Sequence, residues 1–181
     1  KLGQRACAAT ELEFDEIHLD DSRIVGKLRQ GWAINRAVLN YSRIPVGGIA
    51  LGIARSGVEA GLNWLAQQPH LLERQSIQLE IADIVGQLSS LRATLWQHAS
   101  LLVPRQFRAS AAKVQAGDLV VEVCQRMMQL VGPEAIAHGP IEKAWRDARL
   151  NQIYEGTNQI NRLAMFEELA WRYKDKEGWH V

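Results

Sequence analysis

Between residues 73 and 103, apolar side chains recur at steps of three or four residues. The members of this stripe are Ile77, Ile81, Ile84, Leu88, Leu91, Leu95, Ala99 and Leu102. This spacing keeps one side of a helix apolar over about four heptads. It predicts a long helix ended by Pro104, and it requires other long elements to cover the stripe.

Further stretches of helical period can supply that cover. Helices are predicted over residues 32–68, 106–131 and 140–154, and from an N-cap at Thr157 to about Lys174, with fraying around Gly178. Pro45 should kink or break the first of them. Glycine is costly in helices, so the glycines of this helix indicate close approach by a neighbouring helix or a ligand. They are Gly47, Gly48, Gly52, Gly57 and Gly61.

The first 26 residues follow a different pattern. Leu12, Phe14, Ile17 and Leu19 come close to alternating with charged residues, which predicts a strand with a bulge or two short strands. An isolated strand lacks partners, so we expect it to complete a sheet lying elsewhere, in a chain of which this sequence is a piece. The predicted fold is therefore mainly α: an antiparallel up-and-down helix bundle over residues 27–181, with a short N-terminal β segment in residues 1–26.

Composition narrows the function classes. The net charge is +1 and no basic cluster occurs, which argues against a nucleic-acid partner. The histidines and the two cysteines show no metal-ligand spacing, so no metal site is predicted, and a reducing compartment such as the cytoplasm is favoured. Arg55 and polar residues interrupt the longest apolar stretches, so no membrane span is expected. Cys124 lies on a helical stripe, so we predict that its thiol is buried and inert.

The turn around Glu155 is the strongest chemical feature. The pattern places this carboxylate in the last turn of a helix, where the helix dipole disfavours negative charge. Gly156 and the predicted N-cap Thr157 follow, so backbone N–H groups of the next helix are open to an anionic or carbonyl ligand. The alternative is structural: a solvated helix-end glutamate followed by a C-capping glycine. The chain contains no GxGxxG, and no Lys-Ser/Thr follows Gly52 to complete a P-loop.

These residues also carry a resemblance. The segment Ile-Tyr-Glu-Gly-Thr-Asn-Gln-Ile-Asn-Arg at 153–162, preceded by Trp-Arg-Asp-Ala at 145–148, resembles the C-terminal signature of acyl-CoA dehydrogenases. The likeness extends along nearly the whole chain. Gly3-Gln4-Arg5 and Leu12-Glu13-Phe14 resemble the end of that family's middle β-domain. Gly31-Trp32 and Arg43 resemble its first C-terminal helix, and Ile81-Ala82-Asp83 resembles its second.

The resemblance implies that Glu155 removes a proton α to a thioester carbonyl while the β hydrogen leaves as hydride to FAD. A carboxylate suits this role because it is ionised at neutral pH. Some family members carry the base on the first helix instead, at the position matched here by Ser42, which cannot act as one. By the same resemblance Thr157, Gln159 and Gln129 contact FAD, with Gln129 reaching across a dimer interface. Tyr154, Gly156 and Arg43 match residues of the acyl site.

Two departures from the family concern FAD. The connection at residues 67–74 lacks the family's Arg-x-x-Phe-Gly element, and Arg74 lies too late to replace its arginine. Pro133 removes a backbone donor from the turn after the third long helix. Both predict altered flavin contacts.

The resemblance also implies an acyl-CoA substrate and a homodimer or homotetramer. It further implies reoxidation by an electron-transfer flavoprotein or oxygen, and a cytoplasmic or mitochondrial-matrix location, with the cytoplasm favoured. Residues 1–181 alone should be inactive. Two alternatives stay open: a dehydrogenase of carrier-protein-bound acyl groups, and a non-catalytic helical assembly module.

Overall fold

The computed structural model describes residues 1–103 and 105–174, and this part of the chain is built from helices. The α-helices are α1 (Gly31–Leu65), α2 (Pro69–Leu72), α3 (Gln75–Ala99), α4 (Gln106–Val131), α5 (Pro133–Ile136), α6 (Pro140–Ala148) and α7 (Asn158–Lys174). Two 3₁₀ helices lie at Asp21–Arg23 and Arg149–Gln152. The predicted helix bundle is confirmed. The predictions for Pro104 and Gly178 fall outside the described residues.

The central element of the bundle is α4, which packs against α1, α3, α6 and α7. Its first half is buried on nearly every side, because it is covered by α1 on one side and by α7 on another. The core includes the following buried apolar residues of α4: Ala109, Ala112, Ala116, Val120, Val123 and Met127. The small side chains among them let α1 approach α4 closely.

The stripe that defined α3 is only partly buried. Ile84, Leu91 and Leu95 lie in the core, and the members nearer the helix start are half-buried. The helix ends at Ala99, and Leu102 lies beyond its end with 95% of its surface exposed. The last predicted turn of this helix is therefore absent.

Close helix packing explains three of the five glycines at positions 47–61 of α1. An added Cβ would lie 2.5 Å from Leu95 at Gly47, 3.3 Å from Ala144 at Gly57, and 2.1 Å from Met127 at Gly61. Gly48 and Gly52 have no such neighbour and instead line a cavity between α1 and α3. The expected break at Pro45 does not occur, since α1 runs through it as one helix.

By length and composition, α1 is apolar enough to cross a membrane, which goes beyond what its interrupted apolar stretches suggested. Such a helix is weak evidence for a span, because core helices pass the same test. Here its second half packs against α3, α4 and α6, which accounts for its apolar residues.

The predicted N-terminal β segment is not a strand in this structure. Residues 1–20 form no regular secondary structure, and Leu12 and Phe14 are each 74% exposed. The physical reason is the lack of a partner, since a strand needs a neighbour for its backbone hydrogen bonds and the described residues offer none. The first residues do touch the bundle: Arg146 donates to the carbonyl of Leu2 at 2.9 Å, and Gln4 Nε2 to that of Asp147 at 3.1 Å.

Candidate active site

Glu155 lies in the turn between the second 3₁₀ helix and α7, three residues later than the last helical residue. The sequence had placed it in the last turn of an α-helix, but α6 ends at Ala148. The side chain of Asn151 supplies a reason, because its amide donates to the carbonyls of Asp147 (3.4 Å) and Ala148 (3.1 Å). A side-chain amide that binds these carbonyls competes with the α-helical backbone for them.

The backbone of this turn is left-handed at two successive residues. Glu155 has a φ of 57° and Gly156 a φ of 83°. Glycine adopts this region freely, but a residue with a Cβ pays roughly 1–3 kcal/mol to hold such a conformation. Thr157 then begins α7 as its N-cap, because its Oγ1 accepts from the N–H of Ile160 at 3.2 Å, as predicted.

Three side chains from three different helices donate to the carbonyls of this turn. Arg43 of α1 reaches the carbonyl oxygen of Glu155 at 3.4 Å. Lys113 of α4 reaches that of Gly156 at 2.8 Å. Asn161 of α7 donates to Gly156 at 2.8 Å and to Thr157 at 3.0 Å. The left-handed turn is thus held from α1, α4 and α7 at once.

The carboxylate of Glu155 faces α1, where Ser42 donates its hydroxyl to Oε2. Within residues 1–103 and 105–174, the backbone N–H of Glu155 makes no hydrogen bond. The turn therefore offers a carboxylate and a free backbone donor from the same residue. This pair can take a proton from a carbon acid and stabilise the neighbouring carbonyl oxygen.

A cleft of about 490 Å³ opens beside the turn, between α1 and α7. Its walls include Gly156, Arg43, Trp32, Leu39, Ile160 and Leu163. Arg43 is only 5% exposed, and burial lowers the pKa of its guanidinium from the ordinary value. A mostly apolar wall with a buried cation suits a ligand that combines an apolar body with a polar group.

Asp118 of α4 binds three side chains that flank the turn. Its carboxylate accepts from Gln152 (2.8 Å), Asn158 (2.8 Å) and Arg162 (2.6 Å). Burial alone would raise the pKa of Asp118, but these hydrogen bonds outweigh it and lower the pKa. The sequence does not single out Asp118, because nothing in its local pattern distinguishes it from an ordinary surface aspartate.

Gly117 allows α4 to approach the 3₁₀ helix that leads into the turn. An added Cβ would lie 2.7 Å from the carbonyl oxygen of Asn151 and 3.1 Å from Nδ2 of Asn158. Because a backbone atom cannot move aside cheaply, we expect Gly117→Ala to lower the free energy of unfolding by about 1–3 kcal/mol. A thermal melt would show this as a fall in Tm of roughly 2–4 °C per kcal/mol.

Gly86→Ala is the matched control for this prediction, because Gly86 lies within α3 and an added Cβ there meets open space. We expect this variant to be more stable by up to about 1 kcal/mol, since alanine favours the helix. Equal Tm values for wild type and Gly117→Ala would contradict the close approach at Gly117.

The structure brings some of the predicted site residues together and leaves others apart. Arg43, Gly156 and Thr157 lie at the turn with Glu155. The half-buried Tyr154 turns toward Asn151, to whose Oδ1 it donates at 2.9 Å. Gln159 and Gln129 are exposed. Gln129 is sixteen residues along α4 from Lys113, about 24 Å at the rise of an α-helix, and so does not reach this turn.

Lys113 is a site residue that the sequence analysis did not single out. It is 1% exposed and lies among small and apolar residues on α4. A lysine is almost never fully buried unless it has partners, so a lysine inside an apolar helical stretch was the available signal. Cys124, in contrast, is buried as predicted, and burial raises the pKa of its thiol to about 12, which disfavours the reactive thiolate.

Known proteins of one family resemble this chain along most of its length. Residues 29–170 match the family model described as acyl-CoA dehydrogenase, C-terminal domain. The chain is 32% identical over 178 residues to the probable acyl-CoA dehydrogenase fadE25 of Mycobacterium leprae, covering 93% of this chain and 46% of that protein. It is 30% identical over 182 residues to the mitochondrial short-chain specific acyl-CoA dehydrogenase of Homo sapiens, covering 96% and 44%. The chain thus spans just under half the length of these relatives.

Solved structures share the fold. A chain from a structural study of the electron transferring flavoprotein of Acidaminococcus fermentans superposes with a TM-score of 0.76 at 30% identity. The alignment covers 80% of the present chain and 40% of that chain. The helical fold of this chain is therefore one that a known protein also adopts.

Proposed function

Because the chain belongs to the acyl-CoA dehydrogenase family, we propose that it carries the general base of an FAD-dependent enzyme that oxidises an acyl thioester between its α and β carbons. The base is Glu155. The observation that supports this most is the turn itself, where one residue presents both a carboxylate beside Ser42 and a backbone N–H without an acceptor among the described residues.

The proposed chemistry uses both groups of Glu155. Its carboxylate takes the α proton, and its N–H donates to the thioester carbonyl oxygen, where negative charge develops as the proton leaves. The α C–H electron pair forms the new double bond as the β hydrogen departs with its own pair. Three donors fix the backbone of the turn, so these groups need little reorganisation during the reaction.

FAD, when bound, supplies the acceptor for the β hydride. The donor set fits such a group: Gln159 is exposed in the first turn of α7, Gln129 is exposed on α4, and Thr157 stands at the N-terminus of α7. Pro133, which departs from the family pattern, occupies the first turn of α5, where an N–H has no intrahelical partner. We propose that Gln159 and Thr157 contact FAD of their own subunit, and Gln129 that of a neighbour.

The remaining proposals concern the whole protein. We propose an acyl-CoA substrate bound with the help of Tyr154, Gly156 and Arg43, a homodimer or homotetramer, and reoxidation by an electron transferring flavoprotein. Apolar residues exposed on α3, such as Leu79 at 64% and Val85 at 47%, support a subunit contact. The relatives include a bacterial and a mitochondrial protein, and we favour the cytoplasm. Residues 1–181 alone are proposed to be inactive.

An anaerobic visible spectrum of the complete protein, titrated with a panel of acyl-CoAs, tests the proposal. We expect a flavin band that bleaches with a preferred chain length. A flavin band that no acyl-CoA bleaches would favour an acyl group bound to a carrier protein. A colourless protein that takes up no added FAD would overturn the proposal in favour of a non-catalytic assembly module.

A further inference from the structure

Lys113 is the largest of the fully buried side chains and sits in the middle of the molecule. Burial of an ammonium group is expensive unless partners compensate it. Its Nζ donates to the carbonyl oxygen of Gly156 and to Oδ1 of Asn158, both at 2.8 Å. Both acceptors are uncharged, so these contacts are hydrogen bonds and not ion pairs.

The two acceptors bracket the end of the turn that presents Glu155. Gly156 is the second of its left-handed residues, and Asn158 is the first residue of α7. Asn158 is itself 2% exposed and donates to Asp118 at 2.8 Å. Lys113 therefore links the turn, the start of α7 and the central helix through one buried group.

We propose that Lys113 is a positioning residue that holds the Glu155–Gly156 turn in its left-handed form and so fixes the carboxylate of Glu155 for proton abstraction. This rests on the proposed function of Glu155. Lys113 acts on the turn and does not contact substrate itself, since its buried ammonium is directed at the carbonyl of Gly156 and the side chain of Asn158.

The charge of Lys113 makes the proposal testable by pH. Burial, followed by the nearby charge of Arg43 and, less strongly, that of Arg162, lowers the pKa of Lys113 to about 8, although Asp118 and Glu155 act in the opposite direction. As pH rises through about 8, the folded protein loses this proton, and a neutral amine donates a weaker hydrogen bond to Gly156. We therefore expect the rate constant of flavin reduction to fall above about pH 8.

Stability should change in the opposite direction. The unfolded chain keeps the proton of Lys113 up to its ordinary pKa of 10.5. Between about pH 8 and that value the unfolded state binds more protons, so the contribution of Lys113 to the free energy of unfolding increases with pH. A loss of rate in this window that came from unfolding would lower both quantities, whereas loss of positioning lowers only the rate.

The experiment compares the complete wild-type protein with Lys113→Met, a neutral side chain of similar length. Lys143→Met is the control, because the side chain of Lys143 is 67% exposed; it pairs with the buried Asp147 one turn along α6. Flavin reduction is followed by stopped flow at saturating acyl-CoA from pH 6 to 10. At pH 7 we expect Lys113→Met to be slower by about 100-fold, the cost of a small misplacement of a catalytic group. Its fall in rate near pH 8 should be absent, and its acyl-CoA dissociation constant should stay within a few-fold of wild type.

Hydrogen–deuterium exchange of residues 151–162 gives a readout that needs no substrate. We expect faster exchange in Lys113→Met and no change in Lys143→Met. Unchanged exchange, or a wild-type rate in Lys113→Met, would overturn the positioning role. If Lys113→Met does not fold, the wild-type protein alone decides. A wild-type rate constant of flavin reduction that does not fall near pH 8 then overturns the positioning role. If no acyl thioester bleaches the flavin band of the wild-type protein, the proposed function is overturned instead. The exchange data then decide whether Lys113 holds the turn.

Discussion

Glu155→Gln is expected to slow flavin reduction by acyl-CoA by about 10²–10⁴-fold, the usual contribution of a general base. The amide of glutamine cannot accept the α proton. Its oxygen can still accept from Ser42, as Oε2 of Glu155 does. The side chains of Arg43 and Lys113 donate to backbone carbonyls of the turn and not to the replaced side chain. The variant should therefore fold, bind FAD and bind substrate while losing the chemical step.

Stopped-flow bleaching of the flavin band under anaerobic conditions measures this rate constant, and thermal melts with flavin content check that the protein is intact. Glu59→Gln is the control, because Glu59 is an exposed glutamate that pairs with Arg55 one turn away on α1. We expect it to keep the wild-type rate. A Glu155→Gln rate within a few-fold of wild type would remove Glu155 from the mechanism.

The helical part of the fold could be predicted because its pattern is local. Periodicity placed α4 at the residues where it lies, and the hydroxyl of Thr157 marked the start of α7. Both predictions rest on residues three or four positions apart. Such residues share one face of a helix or, at its start, form the N-cap hydrogen bond. The N-terminal segment shows the limit of this reasoning. Its alternation is a genuine strand pattern, but a strand also needs a partner that local sequence does not supply.

The geometry around Glu155 depends on contacts between residues far apart in the chain. Ser42 and Glu155 are 113 positions apart, and Lys113 and Gly156 are 43 apart. No periodicity links such pairs, so the resemblance to a family singled out Glu155 as the candidate base, while Lys113 and Asp118, which help to hold its turn, were missed. The 3₁₀ helix before the turn was missed for a different reason, because the competing amide of Asn151 has no signature beyond its residue type.

Moving the base to α1 is the second change for which we expect a large effect. Glu155→Gly removes the carboxylate and suits the left-handed backbone of this position. Adding Ser42→Glu then places a carboxylate on the residue whose hydroxyl contacts Oε2 of Glu155 in the wild type. We expect the double variant to reduce flavin at least about 10-fold faster than Glu155→Gly alone, yet more slowly than wild type. Its carboxylate enters the same region from a different helix, and a base out of its best geometry loses rate.

Ser56→Glu in the Glu155→Gly background is the matched control. Ser56 lies on the same helix, fourteen residues further on, which is about 21 Å along its axis. It adds the same charge to α1 but cannot bring it to the turn. The rate of flavin reduction could recover with Ser42→Glu and stay low with Ser56→Glu. The reaction would then require a carboxylate in the space between α1 and the turn, and either α1 or the turn could carry it. Equal rates in both double variants would mean that the contact between Ser42 and Glu155 does not mark the place where the proton is taken.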